Sequence, residues 1–214
     1  MTINRTLMVS ALFILVALIA AVWLYPRLPS QVPVHWDLHG QVDGSLPRLW
    51  GAAFPALTVL ALAGLTVLLP LISPRRFEIQ PFAAAYGVMM LAVQGTMLAV
   101  GLAVLLAGAG YALPMPAIAM LAVGALLMVL GNYMGKLRKN FFIGIRTPWT
   151  LASDAVWERT HRLAGWLFVA AGLVMVASVL VGAPIWLPLG AIAAATLLPV
   201  AYSLWIYRRL HHPG

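Results

Sequence analysis

Four side chains within nine positions, His35, Asp37, His39 and Asp43, place two imidazoles and two carboxylates on one short stretch of chain. If that stretch is extended, residues 35, 37 and 39 project from the same face, a workable arrangement for Zn²⁺. The bland alternative is that the Asp residues hold turns and the His residues cap backbone groups or lie at an interface. A second constellation lies far downstream, where Glu158 and His161 offer an acid and a base. No activated nucleophile and no phosphate-cradling glycine loop accompanies them. Around that pair, Asn140, Gly144, Arg146, Thr147, Pro148, Trp149 and Trp157 form a polar and aromatic group. It reads either as a docking surface for a cytoplasmic protein or as a re-entrant turn and surface helix anchored to lipid headgroups. The chain has no cysteine, so thiolate metal sites, cysteine nucleophiles and disulfides are excluded, and no cofactor is called for.

The elements that position these groups are dictated by composition. Of 214 residues 63% are hydrophobic and 8% charged, against about a quarter charged in a soluble domain, and the mean hydropathy is +0.97. The solvent is a bilayer. Spanning roughly 30 Å of hydrocarbon takes about 20 apolar residues in a helix, and only a closed hydrogen-bonding element survives there. Six stretches qualify: Leu7–Tyr25, Leu49–Ile72, Phe82–Leu106, Met115–Tyr133, Leu163–Val181 and Ile185–Tyr207. None contains an ionisable Asp, Glu, Lys, Arg or His, which argues against a proton-coupled transporter. The first reads as a retained span rather than a signal peptide, because its apolar run is long and no small-x-small cleavage site precedes Trp23 and Tyr25. Pro55, Pro70, Pro188 and Pro199 are expected to kink or locally unwind helices. Gly87, Gly95, Gly101, Gly124, Gly131, Gly165 and Gly172 permit close helix approach, and Gln94 is expected to hydrogen-bond between helices.

With an even number of spans both termini share a side. Arg5, Arg75, Arg76, Lys136, Arg138, Lys139, Arg146, Arg159, Arg162, Arg208 and Arg209 fall on that side, and only Arg27 and Arg48 on the other. This bias predicts an all-α integral membrane protein, six transmembrane helices in one bundle, with the N- and C-termini cytoplasmic. The net charge of +8 is therefore an orientation signal over membrane-proximal loops. Membrane lipid is its expected partner, with no direct nucleic-acid binding.

Two loops hold most of the remaining chain. In the extracytoplasmic loop 26–48, Pro29 and Pro33 favour extended backbone, while His39-Gly40 and Asp43-Gly44 are turn signals, so a hairpin-like element is expected. In the cytoplasmic loop 134–162, Gly144 and Pro148 interrupt any helix. Ser153 then reads as an N-cap with Asp154 in the first turn of a helix running into the fifth span. On it Glu158 and Arg162 are spaced as an i, i+4 ion pair, and Trp157 and His161 share a face.

These loops resemble those of the SdpI family of bacterial six-span membrane proteins. Leu28-Pro29, Val32-Pro33-Val34-His35-Trp36-Asp37, Gly40 and Asp43-Gly44 resemble that family's N-terminal domain of unknown function. Asn140-Phe141-Phe142-Ile143-Gly144-Ile145-Arg146-Thr147-Pro148-Trp149-Thr150-Leu151, then Trp157, Thr160-His161-Arg162 and Gly165, resemble its signature. The likeness runs from the first span through the fifth, with the sixth similar in character. It divides the chain into a two-span unit, 1–72, and a four-span unit, 73–214. His39 lies outside the pattern, and Arg48 stands where the family tends to have lysine.

The resemblance implies immunity, in the plasma membrane of a bacterium, against a secreted toxic peptide on the outer face. It also implies that a small cytoplasmic repressor is held at the inner face. Pro33, His35, Trp36, Asp37, Gly40, Asp43 and Gly44 would then sense the peptide. Asn140, Gly144, Arg146, Thr147, Pro148, Trp149, Trp157, Glu158 and His161 would hold the repressor. A small transporter or flippase using the proline-containing spans, and a metal-dependent membrane enzyme built on the outer His and Asp residues, are the rival readings.

Overall fold

A computed structural model describes residues 3–74 and 78–211; Arg75 and Arg76, which entered the charge count, lie outside the described residues. The six long helices are α1 (Ile3–Leu24), α2 (Arg48–Leu71), α3 (Ala83–Gly108), α4 (Met115–Met134), α6 (Asp154–Val181) and α7 (Trp186–His211). A short α5 (Pro148–Ala152) precedes α6, and a ribbon of β1 (Gln31–Trp36) and β2 (Val42–Pro47) joins α1 to α2. All six long helices are apolar and long enough to cross a membrane. The expected spans are thus present, with α6 continuous from the loop through the bilayer.

The distribution of side-chain size shows the bilayer logic. On α1 the buried positions are Thr6, Ser10, Ala17, Ala21 and Leu24, whereas Leu12, Leu15, Leu18, Ile19 and Val22 are exposed. In water this helix would be inside out; in lipid, bulky aliphatics face the acyl chains and small residues let helices meet. Helices α1, α2 and α3 pack mutually, α4 and α6 form the most extensive pair, α7 lies on α6, and α3 also meets α4.

Polar links and glycines set the registers. Pro70 has no N–H to give to the carbonyl of Thr66, one turn earlier, and that oxygen instead accepts the Tyr86 hydroxyl of α3 at 2.9 Å. Gln94 Nε2 donates to Thr66 Oγ1 at 3.0 Å, the expected interhelical bond. Along α4 and α6 the glycines are paired: a Cβ on Gly131 would lie 2.6 Å from Gly165 O, and one on Gly172 would lie 2.4 Å from Gly124 O. Gly87 and Gly101 likewise admit Thr6 and Pro55, while Gly95 meets Phe13 only at ordinary contact distance. Pro188 falls in the first turn of α7, where its missing N–H breaks no helical bond, so the kink expected there does not arise.

These contacts fix the relative directions of the helices they join. Thr6 meets Gly87, and Leu24 clusters with Leu105, so α1 and α3 run parallel. The pairs Thr66–Gln94 and Pro55–Gly101 run α2 the other way, and the glycine pairs make α4 and α6 antiparallel. The ribbon therefore occupies one end of the bundle, and the 135–153 loop occupies the end where α1 begins.

Candidate functional site

The ribbon is antiparallel, pairing Gln31 with Pro47, Val32 with Leu46, Pro33 with Ser45, His35 with Gly44 and Trp36 with Val42. It is pinned through Val32, which is 0% exposed and lies over Gly51 of α2 and Gly108 of α3; a Cβ on Gly51 would stand 2.5 Å from Val32 Cβ. Val34 and Trp36 pack against the buried cluster of Ala103, Val104 and Met115, where α3 gives way to α4.

The four expected ligands divide into two pairs. His35 Nδ1 meets Asp43 Oδ1 at 2.5 Å, both side chains exposed. Asp37 Oδ1 accepts the N–H groups of Gln41 at 2.8 Å and His39 at 2.9 Å, and His39 Nδ1 lies 3.3 Å from Oδ2. The hydrogen bond from the Gln41 backbone, aided by His39, holds the Asp37 carboxyl below its usual range. Strand β1 ends at Trp36, so the chain turns at Asp37 and the shared face of residues 35, 37 and 39 is lost. Among the described residues no three His, Asp or Glu side chains converge as a metal site. These residues do not fit Zn²⁺; Asp37 is a turn former. Only one of the two expected turns is present: Gly40, with φ +80°, makes it against Pro116. Asp43-Gly44 instead lies within β2, where Gly44 leaves room for His35, 3.0 Å from the place of its Cβ.

At the opposite end the 135–153 loop is built from its own polar side chains. Asn140 is 0% exposed. Its Oδ1 accepts the N–H of Phe142 and of Ile143, both at 2.8 Å, while Nδ2 donates to Arg138 O at 2.9 Å and Ile143 O at 3.1 Å. One amide thus uses its full hydrogen-bonding capacity to fold a tight turn. Gly144 follows at φ +106°. Then His161 of α6 reaches up: its Nδ1–H donates to Trp157 O at 2.8 Å, and its Nε2 accepts the Ile145 N–H at 3.0 Å. Those two bonds together require a neutral ring protonated on Nδ1.

Thr147 caps α5 in a reciprocal box, taking the Thr150 N–H at 3.2 Å while Thr150 Oγ1 takes the Thr147 N–H at 3.0 Å. The Thr150 hydroxyl donates to Ile145 O at 2.7 Å, and Thr147 Oγ1 lies 3.1 Å from Ser203 Oγ on α7. The loop is therefore tied to both α6 and α7. Trp157, 1% exposed, stacks on His161 with centroids 3.9 Å apart and donates its indole N–H to Leu137 O at 2.8 Å.

The expected single patch is thus two layers. Asn140, Thr147, Trp157 and His161 are buried and shape the loop, with Gly144 at its turn. Arg146, Pro148 and Glu158 are exposed, and Trp149 is half-buried. Arg146 Nη1 also donates to Phe141 O. Glu158 pairs with Arg138 at 3.2 Å rather than with Arg162, because the folded loop brings Arg138 alongside the helix. Lys139 takes Asp154 at 2.7 Å. Ser153 occupies the N-cap position without a side-chain bond to the helix. With His161 enclosed between the Trp157 and Ile145 backbones, an acid–base pair with Glu158 is not assembled. Reading the sequence missed Thr150, Ser203 and Lys139; the Thr147-Pro148-Trp149-Thr150 run, with Pro at N1, was a legible capping signal for the first.

Fold and site together define a multi-pass membrane protein with a ribbon at one end of its bundle and a self-bonded, basic loop at the other. Residues 136–203 match the SdpI/YfhL protein family, and residues 12–60 match a domain of unknown function, DUF1648. The immunity protein SdpI of Bacillus subtilis (strain 168) is 27% identical over 168 residues, covering 78% of each chain. The chain is thus similar to the SdpI family over its C-terminal part and to an immunity protein over most of its length. No solved structure matches it.

Proposed function

We propose that this chain is a membrane immunity protein that protects its cell against a secreted toxic peptide. In this reading the ribbon faces the peptide outside. The 135–153 loop, with both termini, faces the cytoplasm and holds a small repressor while the peptide is present. The observation that carries the reading is the loop: its buried hydrogen bonds are spent on holding one backbone shape, which leaves Arg146 and Pro148 exposed beside a half-buried Trp149. Such a built surface suits protein recognition better than loose headgroup anchoring. The similarity to an immunity protein supports the outward half of the reading.

A physical route connects the two ends. Peptide on the ribbon would press on Met115 at the start of α4 through Trp36 and Val34. Helix α4 meets α6 backbone to backbone at Gly124–Gly172 and Gly131–Gly165, so a shift of α4 displaces α6 rather than being absorbed by side chains. The first turns of α6 carry Trp157 and His161, which hold the loop. The peptide must bind the two arrangements of this seam with different affinity for the loop to respond.

Replacement of Arg146 by Ala is expected to weaken capture of the repressor about thirtyfold, the effect of losing an arginine hot spot, with membrane insertion unchanged. Pull-down of cytoplasmic proteins against wild type and variant, from cells exposed to the peptide, measures this. Equal recovery of the same repressor by both would remove Arg146 from the surface.

A further inference from the structure

Where α4 and α6 meet backbone to backbone, their outer faces leave a cleft at the loop end of the bundle. It has a volume of about 230 Å³ and is lined by Gly131, Asn132, Gly135, Arg162, Trp166 and Val169, with Gly165 at its floor. Gly131 and Gly165 bring the helices together, and Gly135 has nothing within 4 Å of the place a Cβ would take, so the rim is open.

Three polar side chains border this cleft. Arg162 is exposed and has no acidic partner among the described residues, because Asp154 and Glu158 are engaged by Lys139 and Arg138. Asn132 is an exposed amide in an otherwise apolar helix; one N–H of its Nδ2 goes to Met128 O at 2.9 Å, leaving a second for a ligand. Trp166 is 75% exposed, one turn beyond Arg162, at the start of the apolar run where interfacial tryptophans sit. Below them Val169 makes the wall apolar. A guanidinium and an amide over an apolar groove, where the apolar runs of α4 and α6 end, match a phosphate with an acyl chain beneath it.

We infer that this cleft binds an anionic phospholipid, its phosphate on Arg162 and Asn132 and its chain along Val169 between α4 and α6. The bound lipid bridges the two helices next to the Gly131–Gly165 pair.

The test is native mass spectrometry of protein released from nanodiscs of mixed phosphatidylglycerol and phosphatidylcholine, counting lipid retained per protein. Retention of phosphatidylglycerol over phosphatidylcholine is expected. It should fall about fivefold in Arg162→Gln, the effect of one basic residue at an anionic surface, and similarly in Gly135→Leu, which fills the rim without removing charge. Arg208→Gln, a charge loss away from the cleft, should leave retention unchanged. Equal losses in Arg208→Gln, or equal retention of phosphatidylcholine, would overturn the site. Displacement of the lipid by millimolar inorganic phosphate would overturn the lipid assignment in favour of a free anion. Should Arg162→Gln fail to fold, the Gly135→Leu comparison decides alone.

Discussion

Gly144→Ala is expected to open the 135–153 loop while leaving the six-helix bundle in place. Two independent costs meet at this position. Its φ of +106° is one that residues with a Cβ rarely adopt, and a Cβ there would stand 2.3 Å from His161 Nε2. The first costs about 1–3 kcal/mol. The second pushes the imidazole off the Ile145 N–H it accepts at 3.0 Å, leaving a half-buried donor unpaired at about 1–3 kcal/mol more. Together they come to about 2–6 kcal/mol, and even about 3 kcal/mol, toward the low end, raises the opened population of the loop about a hundredfold. Amide hydrogen exchange at Ile145 reads this directly, and limited trypsin digestion at Lys136 to Arg146 reads it indirectly. Gly135→Ala is the control, since that glycine has helical angles and open space around it. Equal exchange in Gly144→Ala and wild type would show that His161 does not hold the loop.

Gly172→Leu is the second large effect, and it acts on the bundle. The new Cβ would lie 2.4 Å from Gly124 O and 2.7 Å from Met128 Cγ. Backbone cannot step aside as a side chain can, so α4 and α6 must separate. Overpacking of this kind costs about 3 kcal/mol, and the loss of helix contact falls on the most extensive packing in the molecule. A thermal unfolding midpoint lowered by several degrees in detergent is expected. Gly64→Leu, at a position with nothing within 4 Å, should leave the midpoint in place. Coincident midpoints for the two variants would mean that the glycine seam does not hold α4 and α6 together.

Both predictions rest on features that the sequence showed only in part. The spans were legible because a bilayer demands about 20 apolar residues, and no other reading of Leu7–Tyr25 or Met115–Tyr133 satisfies that demand. The glycines were legible as sites of close approach, but not their pairing, because which helix a small residue faces is a tertiary fact. The ribbon was legible from Pro33 and Gly40. Its ligand-like string was not resolved by spacing, since an Asp at residue 37 that accepts two backbone N–H groups ends the strand on which the metal geometry depended.

The loop shows the same division more sharply. The spacing of Trp157 and His161 put them on one face of a helix, and they do stack. Nothing in that spacing said that Leu137, Phe142 and Ile145 would fold back over the face, so residues expected at a surface became its support. Glu158 and Arg162 likewise had the spacing of a helical pair, a contribution of only about 0.3–0.5 kcal/mol. Arg138, delivered by the turn at Asn140, displaces that weak preference. Local spacing prevails where no other chain arrives, and at this end of the bundle another segment does arrive.

Survival of peptide-exposed cells tests the proposed immunity most directly. A bacterial strain sensitive to a secreted toxic peptide is transformed with the wild-type chain, with Gly144→Ala, or with empty vector, and viable counts are taken after exposure. Wild type should restore survival. Gly144→Ala, inserted in the membrane with its ribbon intact, should keep that protection and lose repressor capture. Survival of the wild-type strain no better than that of the vector control, with the protein present in the membrane, would contradict the proposed immunity.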